Sequence, residues 1–254
     1  KDVDGGKDDS LSLYKMKLQF PFAVQSNVES LEASYDKFAT QNDLFRAVSG
    51  EEQPLITDIS GQIQNGTATL AVGENTQVLY FYGTNTGENP VTIYVNGTPV
   101  KIPASYYYEN EQYPSDFCNG LVCLGAFKNE TVTVQFATNA AVTDLRLGML
   151  DYALLEQTAD TLKNQGMQVT DLKQKNSGAS FAVKDAKAGS VFVPVPYDEN
   201  WKCKVNGEDV SEKLTSIGGM MTIPVKEGTN EISLHYQAKG RVSGAVISFA
   251  AILL

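Results

Sequence analysis

The sequence predicts an all-β fold with minor helix, arranged as two tandem β-sandwich domains of jelly-roll-like plan. Three observations predict it. Short runs of alternating apolar and polar residues, bounded by turn residues, recur along most of the 254 residues. Only two segments carry apolar residues at helical spacing. One larger pattern occurs twice: an aliphatic-aromatic strand, a Val-Asn-Gly hairpin, and a later alternating strand.

In chain order, Asp36–Val48 sets Phe38, Asn42, Phe45 and Val48 along one side and runs into Gly50, which fits a helix stop. Thr67–Val72 and Gln77–Tyr82 are rich in β-branched and aromatic residues, and Val91–Val95 alternates. Asn96-Gly97 then turns the chain back into Val100–Ile102, since both residues tolerate the positive φ of a two-residue hairpin. Thr131–Phe136 alternates with period two. Tyr152–Gln165 places Tyr152, Leu155, Ala159 and Leu162 on one helical face, with Asp151 as cap and Gly166 beyond its end. Ser190–Pro196, Trp201–Val205, Met220–Val225 and Glu231–Tyr236 read as strands.

The echo pairs Tyr94–Val100 with Lys204–Val210, and Leu124–Phe136 with Met221–Tyr236; each copy then ends on an apolar segment, Thr143–Leu150 or Gly244–Leu253. The boundary falls near Leu150. Residues 1–150 form a first sandwich with an N-terminal helix. Residues 151–254 form a second, opened by a helix and ending at the start of a membrane segment. Val242–Leu254 carries no charge but is shorter than the ~20 residues of a membrane-spanning helix. By analogy with the first copy, Gly244–Leu253 is expected to be a strand completing the second sandwich.

Net charge is −10 and the pI about 4.6. That balance argues against a nucleic-acid surface and against polybasic docking to anionic lipid, and is read as a solubility feature. Lys1–Ser10 is acidic and polar, with no signal-peptide core, and the opening on Lys1 suggests a piece of a longer protein. Cys118 and Cys123 are spaced to close a disulfide loop; with Cys203 and His235 the only other such ligands, no zinc set is expected.

No catalytic residue is assigned. A Ser-His-acid triad would need His235, the sole histidine, which alternation places opposite Ile232, Leu234 and Tyr236, facing solvent. The 30 acidic residues offer many pairs but no pattern that selects one for glycoside hydrolysis. Asp2–Asp9 lacks the ligand order of a calcium loop, and no Gly-rich loop suits phosphate. No metal or cofactor is expected. Aromatic residues are the better lead. Tyr106, Tyr107, Tyr108 and Tyr113 lie in a segment rich in Pro, Asn and Glu, suited either to stacking on sugar or protein, or to plugging the first sandwich. Trp201, the only tryptophan, is either a core aromatic at a strand start or part of a ligand surface.

Val193-Pro-Val-Pro-Tyr-Asp-Glu-Asn-Trp-Lys-Cys-Lys-Val-Asn-Gly207 resembles the last extracytoplasmic region of the YfhO family of bacterial multi-pass membrane proteins. The likeness continues through Ile223–Gly228, Glu231–Tyr236 and Gly240–Ser248; upstream, Ala39–Gly50 is similar to the family's Gln-Asn-containing helix. Asn200 departs from the usual Gly, though Asn also tolerates left-handed backbone. The resemblance implies an accessory domain outside the cell membrane, in an envelope of Gram-positive type. The parent would resemble polyprenyl-phosphate-sugar-dependent glycosyltransferases, with its catalytic acids in a membrane half that is absent here. The implied partners are that membrane half and an envelope glycopolymer acceptor such as lipoteichoic acid. The alternative is a structural or protein-interaction module without glycan affinity.

Overall fold

The structure, a computed structural model, describes residues 20–32, 34, 36–85, 92–100, 121–136, 142–164, 166–175 and 177–240. The described residues are mostly strands in four sheets, with two α-helices, as an all-β fold with minor helix requires.

The first sandwich stacks two sheets. One has the order β2 (Ile56–Asp58), β9 (Val142–Asp151), β4 (Gln77–Asn85), β7 (Val122–Phe127). The other has the order β3 (Thr67–Val72), β8 (Glu130–Phe136), β5 (Ile93–Val95), β6 (Thr98–Val100). Alternation turns Ala68, Leu70, Leu79, Phe81, Ile93, Val132, Val134 and Leu147 into one buried cluster.

The second sandwich repeats the plan. One sheet runs β1 (Val24–Gln25), β12 (Gly189–Pro196), β16 (Met220–Val225), β15 (Thr215–Ile217). The other runs β10 (Gln168–Lys175), β11 (Gly178–Ala186), β17 (Gly228–Tyr236), β13 (Trp201–Val205), β14 (Glu208–Asp209). Phe181, Val183, Val191, Val193, Cys203, Met221, Ile223 and Ile232 fill its core.

The two Asn-Gly hairpins occupy corresponding places. β5 and β13 each pair with the last long strand of their sheet, β8 and β17. Asn96 and Asn206 both adopt positive φ, at 49° and 53°. Each donates its backbone N–H to the facing strand, to Thr133 O or Glu231 O, at 2.8 Å. Each side-chain oxygen then accepts from that same residue's N–H, again at 2.8 Å. The asparagine thus fixes the turn and the strand register together.

One feature departs from the division at Leu150. β1 lies before the first sandwich in sequence but belongs to the second, pairing Val24 with Phe192 and Gln25 with Val191. It takes the side of β12 that corresponds to β9 beside β4. Gly244–Leu253, expected to fill that role, lies outside the described residues.

The helices α1 (Lys37–Ser49) and α2 (Tyr152–Lys163) begin on Asp36 and Asp151, each accepting two backbone N–H groups of its helix's first turn. Phe38 and Phe45 of α1 bury against Ile56, Tyr82 and Leu150, on the face of β4 and β9 opposite the sandwich core. Gly148 allows this approach: a Cβ there would strike Phe38 and Ile56. Asn42 completes the seat, donating to Ile56 O and accepting from Ile56 N, both at 2.8 Å. Asp36 also accepts from the Tyr82 hydroxyl at 3.1 Å, and Arg146 bridges Asp36 and Asp58 at 3.5 and 2.7 Å. Burial alone would raise the Asp36 pKa; the Ala39 and Tyr82 hydrogen bonds and the Arg146 charge outweigh it and hold the carboxyl below its ordinary value. Tyr82, desolvated and facing that carboxylate, is pushed up to about 12.

Candidate functional site

Among the described residues one end of the second sandwich is open. There the end of β12, the β10–β11 hairpin, the start of β13 and the end of β17 surround a cleft of about 760 Å³. Phe22, Val195, Trp201, Leu234 and Tyr236 give it apolar walls, and Gln174, Ser177 and Asp198 stand among them.

The turn Pro196-Tyr-Asp-Glu-Asn200 sets Trp201 in place. Asp198 accepts from Asn200 N at 2.8 Å, and Trp201 N bonds to Asp198 O at 3.1 Å. The indole Nε1 donates to Pro196 O at 3.0 Å, which satisfies its polar atom and leaves the ring as hydrocarbon surface. Tyr236 meets the indole edge-on, centroids 5.1 Å apart at 64°, and Phe22 meets Phe181 the same way at 5.2 Å and 82°. Hydrogen bonds from Asn200 hold the Asp198 carboxyl below its usual range, so it stays anionic. Lys239 and Glu199 pair close by. Half-buried aromatic rings beside a carboxylate and an amide can stack on the apolar face of a sugar ring while bonding its hydroxyls.

Trp201 packs on the second core and also lines the cleft. Tyr106, Tyr107, Tyr108, Tyr113 and Cys118 lie outside the described residues, so neither the aromatic segment nor the Cys118–Cys123 bridge is described. Cys123 is exposed on β7, against Tyr80, whose pKa is raised by burial first and by Cys123 second. Cys203 is buried, and burial pushes its thiol up to about 12, which leaves it unreactive. His235 faces solvent as alternation requires, its Nδ1 3.2 Å from Ser177 Oγ. Among the described residues no carboxylate bonds to the imidazole, and no group of three or more His, Cys, Asp or Glu could hold a metal.

The sequence had assigned Tyr236 to the core face, which is correct for the strand but stops short of the cleft wall it forms. Phe22 was missed: β1 is two residues long and carries no alternation to detect.

Among the described residues no helix is long and apolar enough to cross a membrane. A family model described as "Bacterial membrane protein YfhO" matches residues 5–248. The "Uncharacterized protein YfhO" of Bacillus subtilis (strain 168) is 25% identical over 211 residues, covering 78% of this chain. The chain spans 24% of that relative's length. With a match over nearly its full length, the chain belongs to the YfhO family of bacterial membrane proteins.

Proposed function

We propose that this chain is an extracytoplasmic accessory region of a membrane protein resembling polyprenyl-phosphate-sugar-dependent glycosyltransferases, and that it holds the envelope-polymer acceptor rather than performing transfer. The cleft of the second sandwich supports this reading. It offers Trp201 and Tyr236 as stacking surface with Asp198 and Gln174 as hydroxyl partners, the combination that neutral sugar rings require. Sugar transfer itself would belong to residues outside this chain.

Pull-down of the chain on purified envelope glycopolymer tests the reading. Trp201→Ala should lower retention at least about tenfold, in line with the weight a central aromatic carries in a binding site. Since the indole also packs on the core, Gln174→Ala provides the control: Gln174 is exposed, so binding should fall with the melting temperature unchanged. Retention unaffected by both substitutions would remove the cleft from the proposal.

A second reading has its own support. Phe22 and Ala238 both line the cleft, so the parts of the chain leading to residues 1–19 and 241–254 pass beside its mouth. In that reading the apolar walls pack against the membrane half of the same polypeptide. Polymer binding by the isolated chain separates the two.

A further inference from the structure

The outer face of the β10-β11-β17-β13 sheet collects lysines that are scattered in sequence. Strand pairing places Lys175, Gly178, His235 and Lys202 in one row across the four strands. The next row is Lys173, Ser180, Ser233 and Lys204. A bulge between Thr170 and Lys173, with Asp171 at φ 57°, sets the β10 pair on this face. All four lysines are exposed, and among the described residues none makes an ion pair. Two rails of two lysines therefore flank Gly178, Ser180, Ser233 and His235, roughly 14 Å apart at three inter-strand spacings. Of the nearby acids, Asp209 stands at the β13 edge opposite Lys204. Asp171 and Glu231 line one shallow groove with Lys173 and Lys204, so the positive charge is least offset at the Lys175–Lys202 row.

Among the described residues the corresponding face of the first sandwich is uncharged. It presents Thr67, Thr69, Thr131, Thr133, Gln135 and Tyr94, with Tyr94 standing where Lys204 stands in the second copy. The fold does not call for lysine there, and a chain of net charge −10 gains nothing in solubility by clustering it.

We propose that this lysine face docks the second sandwich onto the anionic phospholipid surface of the membrane. Charge complementarity gives the chemistry, and four exposed lysines around Gly178, Ser180, Ser233 and His235 give the contact. The family is one of membrane proteins. The uncharged run Val242–Leu254 follows Tyr236 closely, and Tyr236 lies at the Lys202–His235 end of the face. In a protein held at the membrane, a weak attraction per lysine is enough to set orientation. The remaining negative charge turns the other faces away from the same surface. The proposal rests on the membrane-attached reading above but not on glycan binding; Lys175 also lines the cleft, so the variant Lys173→Gln, Lys202→Gln, Lys204→Gln lets vesicle binding and polymer binding fail independently.

The test is flotation of the chain with vesicles of phosphatidylglycerol and phosphatidylcholine, against vesicles of phosphatidylcholine alone. The quadruple substitution Lys173→Gln, Lys175→Gln, Lys202→Gln, Lys204→Gln should lower partition onto the anionic vesicles at least about tenfold and leave the neutral baseline unchanged. Replacement of the same four by Arg should preserve partition, and about 0.5 M salt should abolish it. Lys128→Gln with Lys187→Gln, elsewhere on the surface, should have little effect. Equal partition of the wild type and the Gln variant would overturn the proposal. So would loss of binding to soluble polyphosphate with vesicle partition intact, because the face would then serve a soluble polyanion.

Discussion

In the first sandwich the β2-β9-β4-β7 sheet is covered by α1, and its second sheet turns threonine and glutamine to solvent. In the second sandwich the sheet that corresponds to the threonine face carries Lys173, Lys175, Lys202 and Lys204 in two rows, and among the described residues the adjoining end is open between aromatic walls. Both copies keep the Asn-Gly clamp and the buried alternate positions. The difference teaches where each sandwich is constrained: inward-facing residues answer to packing, while outward-facing ones differ in chemistry between the two. This contrast makes the second copy the better place to look for contacts with other molecules.

The strongest way to break the comparison is to cut one core at a time. Phe81→Ala in the first should cost about 3–5 kcal/mol and Ile223→Ala in the second about 2–5 kcal/mol. Calorimetry should show each substitution lowering a different transition. One shared transition, lowered equally by both, would mean that the two sandwiches unfold as a unit.

Glycine contacts give the next effect. A Cβ at Gly178 would run into the Leu234 carbonyl, which is backbone of the paired strand, whereas at Gly148 it meets the side chains of Phe38 and Ile56. Gly178→Ala should therefore cost about 2–3 kcal/mol, and Gly148→Ala less, as α1 shifts to accommodate it. The reverse order in urea melts would show that the helix seat is the more rigid of the two.

The hairpin clamps sharpen the equivalence. Asn96→Ala and Asn206→Ala should each lose about 1–2 kcal/mol, because each leaves one strand N–H without its acceptor. A large loss at only one of them would break the correspondence of the copies.

The helix caps give the smallest effect. Asp151→Ala should cost about 1 kcal/mol, and Asp36→Ala somewhat more, since Asp36 also holds Tyr82 and Arg146. Because the Asp36 pKa is depressed in the folded state, its stabilisation is full above its ordinary value of 3.8 and is lost as pH falls through the lower folded value. Asp36→Asn should accordingly flatten the fall of Tm with pH in that acid range. An unchanged slope would place the acid sensitivity in other carboxylates.

Much of the strand content was legible because half-buried strands alternate. Thr67–Val72, Trp201–Val205 and Met220–Val225 have the same ends in the structure as in the sequence reading. β10 and β11 were not found. β10 is an exposed edge strand, interrupted by its bulge, with no apolar alternation, and β11 buries three consecutive residues, Phe181–Val183. Of the cleft, Trp201 and its Pro-Tyr-Asp turn were visible in the sequence, but the partners that make a wall of it come from β17 and from Phe22, which is 179 residues upstream. The lysine face was hidden by its arithmetic. Two Lys-x-Lys pairs contribute little to a net charge of −10, and only the pairing through β11 and β17 puts them on one surface.

The attachment of β1 has a consequence for the order of folding. Residues 24–31 are synthesised before either sandwich, yet their partners are Val191, Phe192, Ser190 and Ile217. The first sandwich can form from residues that emerge together, but apart from the Asn27 N–H bond to Ala47 O this leading stretch must wait for its strand partners until more than 160 further residues have appeared. Contacts so distant in sequence close slowly. A ribosome-stalled chain ending near residue 190, with its last stretch still inside the exit tunnel, should therefore have residues 24–31 open to protease while the first sandwich is already protected. Release of the completed chain should close that window, making the earliest segment to be made one of the last to find its place.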